Sequence, residues 1–147
     1  MAGTRSSIVP SKLLSHGTLI CRDLAKSSKF YKEFLGLEVV RHSKNSVMFR
    51  LGTGMHVVAV QSSKLADMHV LHHWGVDVDR PEDVDAAHAD ALKHQHAFGI
   101  QKVMNVTHQH RVYSFYLQDL DNNWWEIQHA PDQHAKTFAA GDVIAMD

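Results

Sequence analysis

The sequence predicts an α+β fold assembled from two copies of a βαβββ module, and three observations lead there. The text repeats: His16-Gly17-Thr18-Leu19-Ile20-Cys21-Arg22-Asp23 has a counterpart in His73-Trp74-Gly75-Val76-Asp77-Val78-Asp79, each a short strand opening on histidine. Each copy then passes through a helical stretch, 27–35 in the first and 84–94 in the second. Each ends in paired apolar runs, 47–51 with 56–60 and 112–117 with 124–127, where apolar residues alternate as strands require.

The elements follow in order. Residues 1–12 read as an untethered lead-in. From Asp23 to Leu35 the chain has helix grammar, with Leu24, Phe30, Phe34 and Leu35 near helical spacing and Gly36 as the stop. Strands are expected over 37–40, 47–51 and 56–61, with Gly52-Thr53-Gly54 turning between the last two, and 62–71 links the copies. In the second copy Pro81 stands near the first helical turn, where its missing N–H costs little. Ala86, Ala87, Ala91 and Leu92 supply the apolar positions of that helix, which leaves His88 and His94 to solvent. Strands over 100–103 and 113–118, a turn over 119–123 and a last strand over 124–127 complete the copy, and the residues after Pro131 read as a tail or a partner-contacting arm. The organisation is a lead-in over 1–12, one domain over 13–130 with modules of about 13–61 and 70–130 sharing a core, and a tail over 131–147.

Composition removes several classes of function. A chain of 147 residues that is 44% apolar carries one packed core readily and two independent ones with difficulty. A formal net charge of −1 and the absence of a basic stripe with interleaved aromatics exert no pull on nucleic acid. No apolar run approaches the roughly 20 residues that span a bilayer, and Met1 to Ser11 lacks the apolar centre of a secretory signal, so a soluble, cytoplasmic protein without membrane partners is expected. The single cysteine, Cys21, excludes an internal disulfide and reads as a small core residue.

Thirteen histidines do not by themselves make a metal site, but the placing of two of them does suggest one. His16 and His73 open matching strands, and the final strand Trp124-Trp125-Glu126-Ile127-Gln128 holds a carboxylate between apolar neighbours, where it is costly unless paired or ligating. Two histidines and one carboxylate with open positions form the ligand set of non-haem iron. Period-two alternation sets Tyr113, Phe115 and Leu117 on one face of their strand and Ser114, Tyr116 and Gln118 on the other, with His110 and His108 joining the second face if the strand extends that far. In the last strand Trp125 and Ile127 share the apolar face, opposite Trp124, Glu126 and Gln128.

The repeated module, its opening histidines and the ending Phe115-Tyr116-Leu117-Gln118-Asp119-Leu120-Asp121-Asn122-Asn123-Trp124-Trp125-Glu126-Ile127 resemble the vicinal oxygen chelate superfamily, which includes glyoxalase I, fosfomycin resistance proteins, bleomycin-binding proteins and extradiol dioxygenases. The resemblance spans roughly residues 13–130 and implies modules forming a curved, cup-like mixed sheet with helices outside. It places His16, His73 and Glu126 on the metal-ligand positions. Glyoxalase I-like members add a carboxylate in the last strand of the first module, where this chain has Ala59, which cannot ligate.

A second layer of similarity is to type I extradiol dioxygenases. His56-Val57-Val58-Ala59-Val60 stands where those enzymes carry a catalytic histidine, and Ser114-Phe115-Tyr116 stands ten residues before Glu126, where they carry a tyrosine. The resemblance implies Fe(II)-dependent ring cleavage of a small catechol-like aromatic by O2. His56 would serve as acid–base and Tyr116 as hydrogen-bond donor to a substrate oxygen, with His110, Trp74 and Trp124 lining the substrate. A homodimer is expected. The rivals are a metal-dependent glyoxalase, epimerase or thiol transferase using Mn, Ni or Zn as Lewis acid, and a non-enzymatic binder of flat aromatic drugs, which generally lacks the triad.

Overall fold

The computed structural model describes residues 7–146, so the first six residues of the expected lead-in and the final residue lie outside the described residues. The α+β class is observed, as two mixed sheets with helices. The chain falls into two compact units that divide between Ser62 and Ser63.

In the first unit β1 (His16–Cys21) leads into α1 (Leu24–Lys29), then β2 (Glu38–Ser43), β3 (Ser46–Arg50) and β4 (His56–Gln61), in sheet order β1-β4-β3-β2. The side chain of Asp23 caps α1 by accepting the Lys26 N–H at 3.0 Å, satisfying a donor the helix start leaves open. Past Lys29 the helix widens over Phe30–Phe34, where the Leu35 N–H reaches back five residues to the Phe30 carbonyl. Gly36 then takes a left-handed φ of 70° and ends it. The widened turn aims Phe30 and Tyr31 together into the core, where Tyr31 stacks on Phe49 at 4.3 Å. Beneath α1 lie Leu19, Cys21, Val47, Phe49, Val57 and Ala59, all buried, so Cys21 is the core residue expected.

The second unit repeats the plan. Strand β5 (His73–Asp77), helix α2 (Pro81–Lys93), a further turn α3 (Gln95–Phe98), β6 (Lys102–Val103), β7 (Thr107–Gln109), β8 (Val112–Gln118) and β9 (Trp124–His129) form a sheet of order β5-β9-β8-β6, with β7 also paired to β8. In both units the opening strand runs parallel to the closing strand and the rest is antiparallel. The core face is Phe115, Leu117, Trp125 and Ile127 under Val84 and Ala91, with Tyr113 donating to Asp85 at 2.5 Å across the edge.

Several expectations are corrected. His88 is not a solvated residue of α2: it lies on the stripe of Val84 and Ala91, sets its ring edge-on to Phe115 at 5.0 Å and places Nε2 3.0 Å from the Met104 carbonyl. The stripe is 84, 87, 88 and 91, and Leu92, counted as apolar core in the sequence, is exposed. Strand β7 was not foreseen, and part of the supposed tail forms α4 (Gln133–Ala140). Among the described residues no helix is long and apolar enough to cross a membrane.

The turn between β8 and β9 is organised by Asp119. Its fully buried carboxylate accepts the backbone N–H groups of Asp121 (2.7 Å) and Asn123 (3.0 Å) and the indole N–H of Trp125 (2.9 Å). Burial pushes this carboxyl up to about 7, with the charge of Asp121 adding to the rise and the three donors opposing it. A carboxyl whose folded pKa is raised holds its proton more tightly folded than unfolded. Its stabilising contribution is therefore complete below the ordinary carboxylate range and lost as pH rises through about 7. Thermal melts from pH 4 to 7 should show the wild-type Tm falling relative to that of Asp119→Asn, which has no such titration. Asp119→Ala, with three donors left unpaired, should lose about 3 kcal/mol in chemical denaturation.

Candidate metal centre

Strand alternation decides which residues share a face, and in both units the face turned from the helix carries the chemistry. In the second unit the parallel register pairs His73 with Trp124 and Gly75 with Glu126, and the antiparallel one pairs Glu126 with Tyr116 and Ser114 with Gln128. His73, Trp124, Glu126, Tyr116 and Ser114 thus stand on one face, opposite Phe115, Leu117, Trp125 and Ile127.

The contacts there prepare two donor atoms. The Nδ1 of His73 lies 2.8 Å from the Val70 carbonyl, which can only accept, so this nitrogen carries a proton and Nε2 is the one that a metal would take. That Nε2 is 3.7 Å from Oε1 of Glu126. The other carboxylate oxygen, Oε2, accepts the hydroxyl of buried Ser114 at 2.8 Å, which turns Oε1 towards the imidazole. A nitrogen and an oxygen 3.7 Å apart, each with a free lone pair, suit a divalent metal bound at roughly 2.0–2.2 Å to each. Tyr116 sets its ring edge-on to His73 at 4.9 Å. Burial, then the Glu126 carboxylate, push its phenol up to about 12, so it is a hydrogen-bond donor across the physiological range. Gly75 leaves the flank of Glu126 open: a Cβ built there would meet nothing nearer than the Gln128 amide at 4.0 Å.

The first unit brings together a different pair. His16 and His56 are register partners in β1 and β4, and their rings stack at 5.4 Å with 15° between planes. His16 has Nδ1 2.6 Å from the Ser15 hydroxyl. Both histidines lie on the face opposite Val57 and Ala59. Among the described residues no group of three or more His, Cys, Asp and Glu side chains stands together as a metal cage. What the structure does bring together is His73 with Glu126, Tyr116 and Ser114, and His16 with His56.

The remaining predicted residues are placed as follows. Trp124 is on the His73 face, buried, with its indole N–H donated to the Met68 carbonyl at 2.8 Å. Trp74 pairs with Trp125 and points to the opposite face from His73, away from the donors it was expected to accompany. His110 does not extend the face of β8, and neither does His108. The strand begins at Val112, His108 lies on β7, and His110 and Arg111 form a two-residue turn with φ of 51° and 65°. Ala59 is not the match of Glu126 in the first copy. Glu126 stands two residues after the partner of His73, so its counterpart stands two after His56, the partner of His16, and is Val58. Valine cannot ligate either, so the ligand count is unchanged while the position moves by one. The sequence reading missed the role of Ser114. Its even spacing from Tyr116 was the available signal, since the two share a face.

Comparison with known proteins adds a family and a fold. The model of the glyoxalase/bleomycin resistance protein/dioxygenase superfamily matches residues 13–127. No curated protein matches the chain. Among solved structures, a glyoxalase/bleomycin resistance protein from Albidiferax ferrireducens T118 is 25% identical, with 80% of this chain and 98% of that one covered and a TM-score of 0.62. The fosfomycin resistance protein FosX from Listeria monocytogenes, solved with Mn(II) and 1S,2S-dihydroxypropylphosphonic acid, is 22% identical over 85% of this chain and 96% of its own, with a TM-score of 0.65. A superfamily enzyme from Burkholderia phytofirmans PsJN is 18% identical over 81% and 99%, also at 0.65.

The donor geometry makes a metal-binding prediction. His73→Ala and Glu126→Ala should abolish or severely weaken binding of a divalent metal, measured by titration of metal-free protein. His72→Ala, one residue outside β5, should bind as wild type. Ser114→Ala keeps both donors but frees the carboxylate to rotate, and should weaken binding by about 10–100-fold.

Proposed function

Because the chain belongs to the glyoxalase/bleomycin resistance protein/dioxygenase superfamily, we propose that it is an Fe(II)-dependent extradiol dioxygenase that cleaves a catechol-like aromatic ring with O2. His73 and Glu126 would hold the metal, with His16 the third ligand that the resemblance implies, leaving positions for the two catechol oxygens and dioxygen. Bound Fe(II) would acidify the catechol hydroxyls and couple the ring electronically to oxygen. Both oxygen atoms end in the ring-opened product, so no external reductant is needed.

The observation that carries this reading is the arrangement around His73 and Glu126: Ser114 on the carboxylate and Tyr116 edge-on to the imidazole. The Ser-Phe-Tyr element on β8 thus serves the donor pair directly. Tyr116, which keeps its proton, donates to a substrate oxygen. His56, beside His16 on the open face of the first sheet, accepts a hydroxyl proton from the catechol and returns it to the product. Imidazole suits this because it titrates near neutral pH. Ser114 and the Val70 carbonyl keep Glu126 and His73 aimed. Trp124, with its N–H already bonded, offers an apolar wall.

A Lewis-acid reading, in which Mn, Ni or Zn supports an isomerase, epimerase or transferase reaction, draws support from the Mn(II) in the FosX neighbour. One experiment separates the two. Protein reconstituted anaerobically with Fe(II) and then given air should consume one O2 per catechol and release a yellow ring-opened product, whereas Zn(II), which has no redox chemistry, should support none. Failure of every catechol to drive oxygen uptake, together with isomerase or transferase activity on Mn, Ni or Zn, would transfer the assignment to the Lewis-acid reading. In the active protein His56→Ala should retain near-stoichiometric iron while kcat falls by roughly 10²–10⁴-fold.

The working form in this proposal is a homodimer. Support comes from apolar side chains left exposed after Pro131, with Phe138 on α4 at 88% and Ile144 at 81%. A solution mass at micromolar concentration should be twice that of the chain, and a purely monomeric mass would refute it.

A further inference from the structure

The first sheet carries a lateral row of polar residues that the proposed reaction only partly uses. His16 pairs with His56 across β1 and β4, and Glu38 pairs with Arg50 across β2 and β3. Extending the β3–β4 register, in which Phe49 faces Val57, by one residue sets Arg50 opposite His56. The row therefore reads His16, His56, Arg50, Glu38 across four adjacent strands. From His16 to Arg50 is two strand spacings, ~10 Å, about the length of one aromatic ring with a substituent at each end.

Beside His56 and the Arg50–Glu38 pair lies a groove of about 290 Å³, lined by Val40, Met48, Phe49 and Gly54 besides those three residues. That is close to the lower end of the volumes of ordinary small-molecule clefts, roughly 300 Å³. The chemistry of its ion pair is specific. The Nε of Arg50 donates to one Glu38 oxygen at 2.8 Å and Nη2 to the other at 3.4 Å. Two of the five guanidinium N–H donors are thus taken and three remain, while both carboxylate oxygens are already engaged. Glu38 fixes the guanidinium plane, and the free edge of Arg50 presents the paired donors that a carboxylate accepts two at a time. The groove is accordingly lined by apolar side chains and carries both a histidine and an oriented anion receptor.

The geometry points to this groove as the site for the distal end of the substrate, and to that substrate as a single-ring aromatic acid whose carboxylate is gripped by Arg50 and whose reacting end lies towards His56 and His16. This inference rests on the ring-cleavage reading for the direction of the ring, but not for the binding itself, which needs no metal.

The test uses the metal-free full chain with two inert probes of equal size, benzoate and benzamide, followed by calorimetry and by the methyl resonance of Met48. Benzoate should bind more tightly than benzamide and shift the Met48 methyl. Arg50→Gln should weaken benzoate by about tenfold or more and leave benzamide unchanged, and Arg50→Lys, which keeps the charge without the fork, should recover part of the loss. Arg50 is solvent-exposed, and unchanged melting of both variants establishes that they fold. Equal affinity for the two probes, no effect of Arg50→Gln on benzoate, or no shift at Met48 would overturn the assignment. Oxygen uptake by the iron-loaded enzyme then separates this site from the reaction. Carboxylate selectivity in binding with no catechol cleaved sinks the dioxygenase reading and leaves the groove, whereas cleavage of catechols without that selectivity sinks the groove and leaves the dioxygenase.

Discussion

The parallel pairing of the first and last strand of each module is the constraint from which the rest follows. Side chains alternate along a strand with period two, so one register choice in β1–β4 and one in β5–β9 assigns every residue of those strands to the helix or to the open face. The antiparallel neighbours inherit the assignment. Slipping either pair by one residue would bury His16 or His73 beneath a helix and expose Leu19, Trp125 or Ile127. The apolar faces under α1 and α2 therefore hold the histidines and Glu126 in place as firmly as any contact the polar residues make themselves.

Aligned by register, the two copies show how one scaffold diverged. His56 corresponds to Trp124, Val58 to Glu126, Thr18 to Gly75 and Met48 to Tyr116, because each pair occupies the same step from the opening histidine. The second copy concentrates donors that suit a metal. The first replaces them with an apolar strip edged by His56 and by the Arg50–Glu38 pair. The two modules present equivalent faces, and different residues at these four steps make one a candidate for holding an ion and the other for holding an organic body.

Much of this was legible in the residues. The alternation in 113–118 and 124–128 is strict, so the faces of β8 and β9 could be read directly, and the histidine-led repeats located both opening strands. The misreadings share a physical origin in departures from simple periodicity. Period-two parity places His110 on the face of Tyr116 only if the strand extends that far; the sequence there offers neither glycine nor asparagine, the usual marks of a turn with positive φ, yet His110 and Arg111 adopt one. Ala59 was named from the family resemblance alone, whereas the pairing between strands selects Val58. His88 was assigned to solvent on the general habit of histidine, although it falls on the same stripe as Val84 and Ala91. The bond from Ser114 to Glu126 and the pairing of Arg50 with Glu38 join residues 12 apart, and such partnerships exist only once register is known.

Gly75 gives the open face of the second unit a direction. Its φ is not positive and there is room for a methyl group, so neither backbone conformation nor packing calls for glycine there. Its effect is on access. Glu126 is flanked on the β8 side by Ser114 and Tyr116 and on the β5 side by His73 and the uncovered backbone of Gly75, so a side chain at position 75 would narrow the approach to Oε1. A side chain at this one position would work as a doorstop: it would leave the fold and both donor atoms intact and still govern the size of what can enter. Selectivity could then be retuned on the approach path, independently of the atoms that bind and of the groups that move protons.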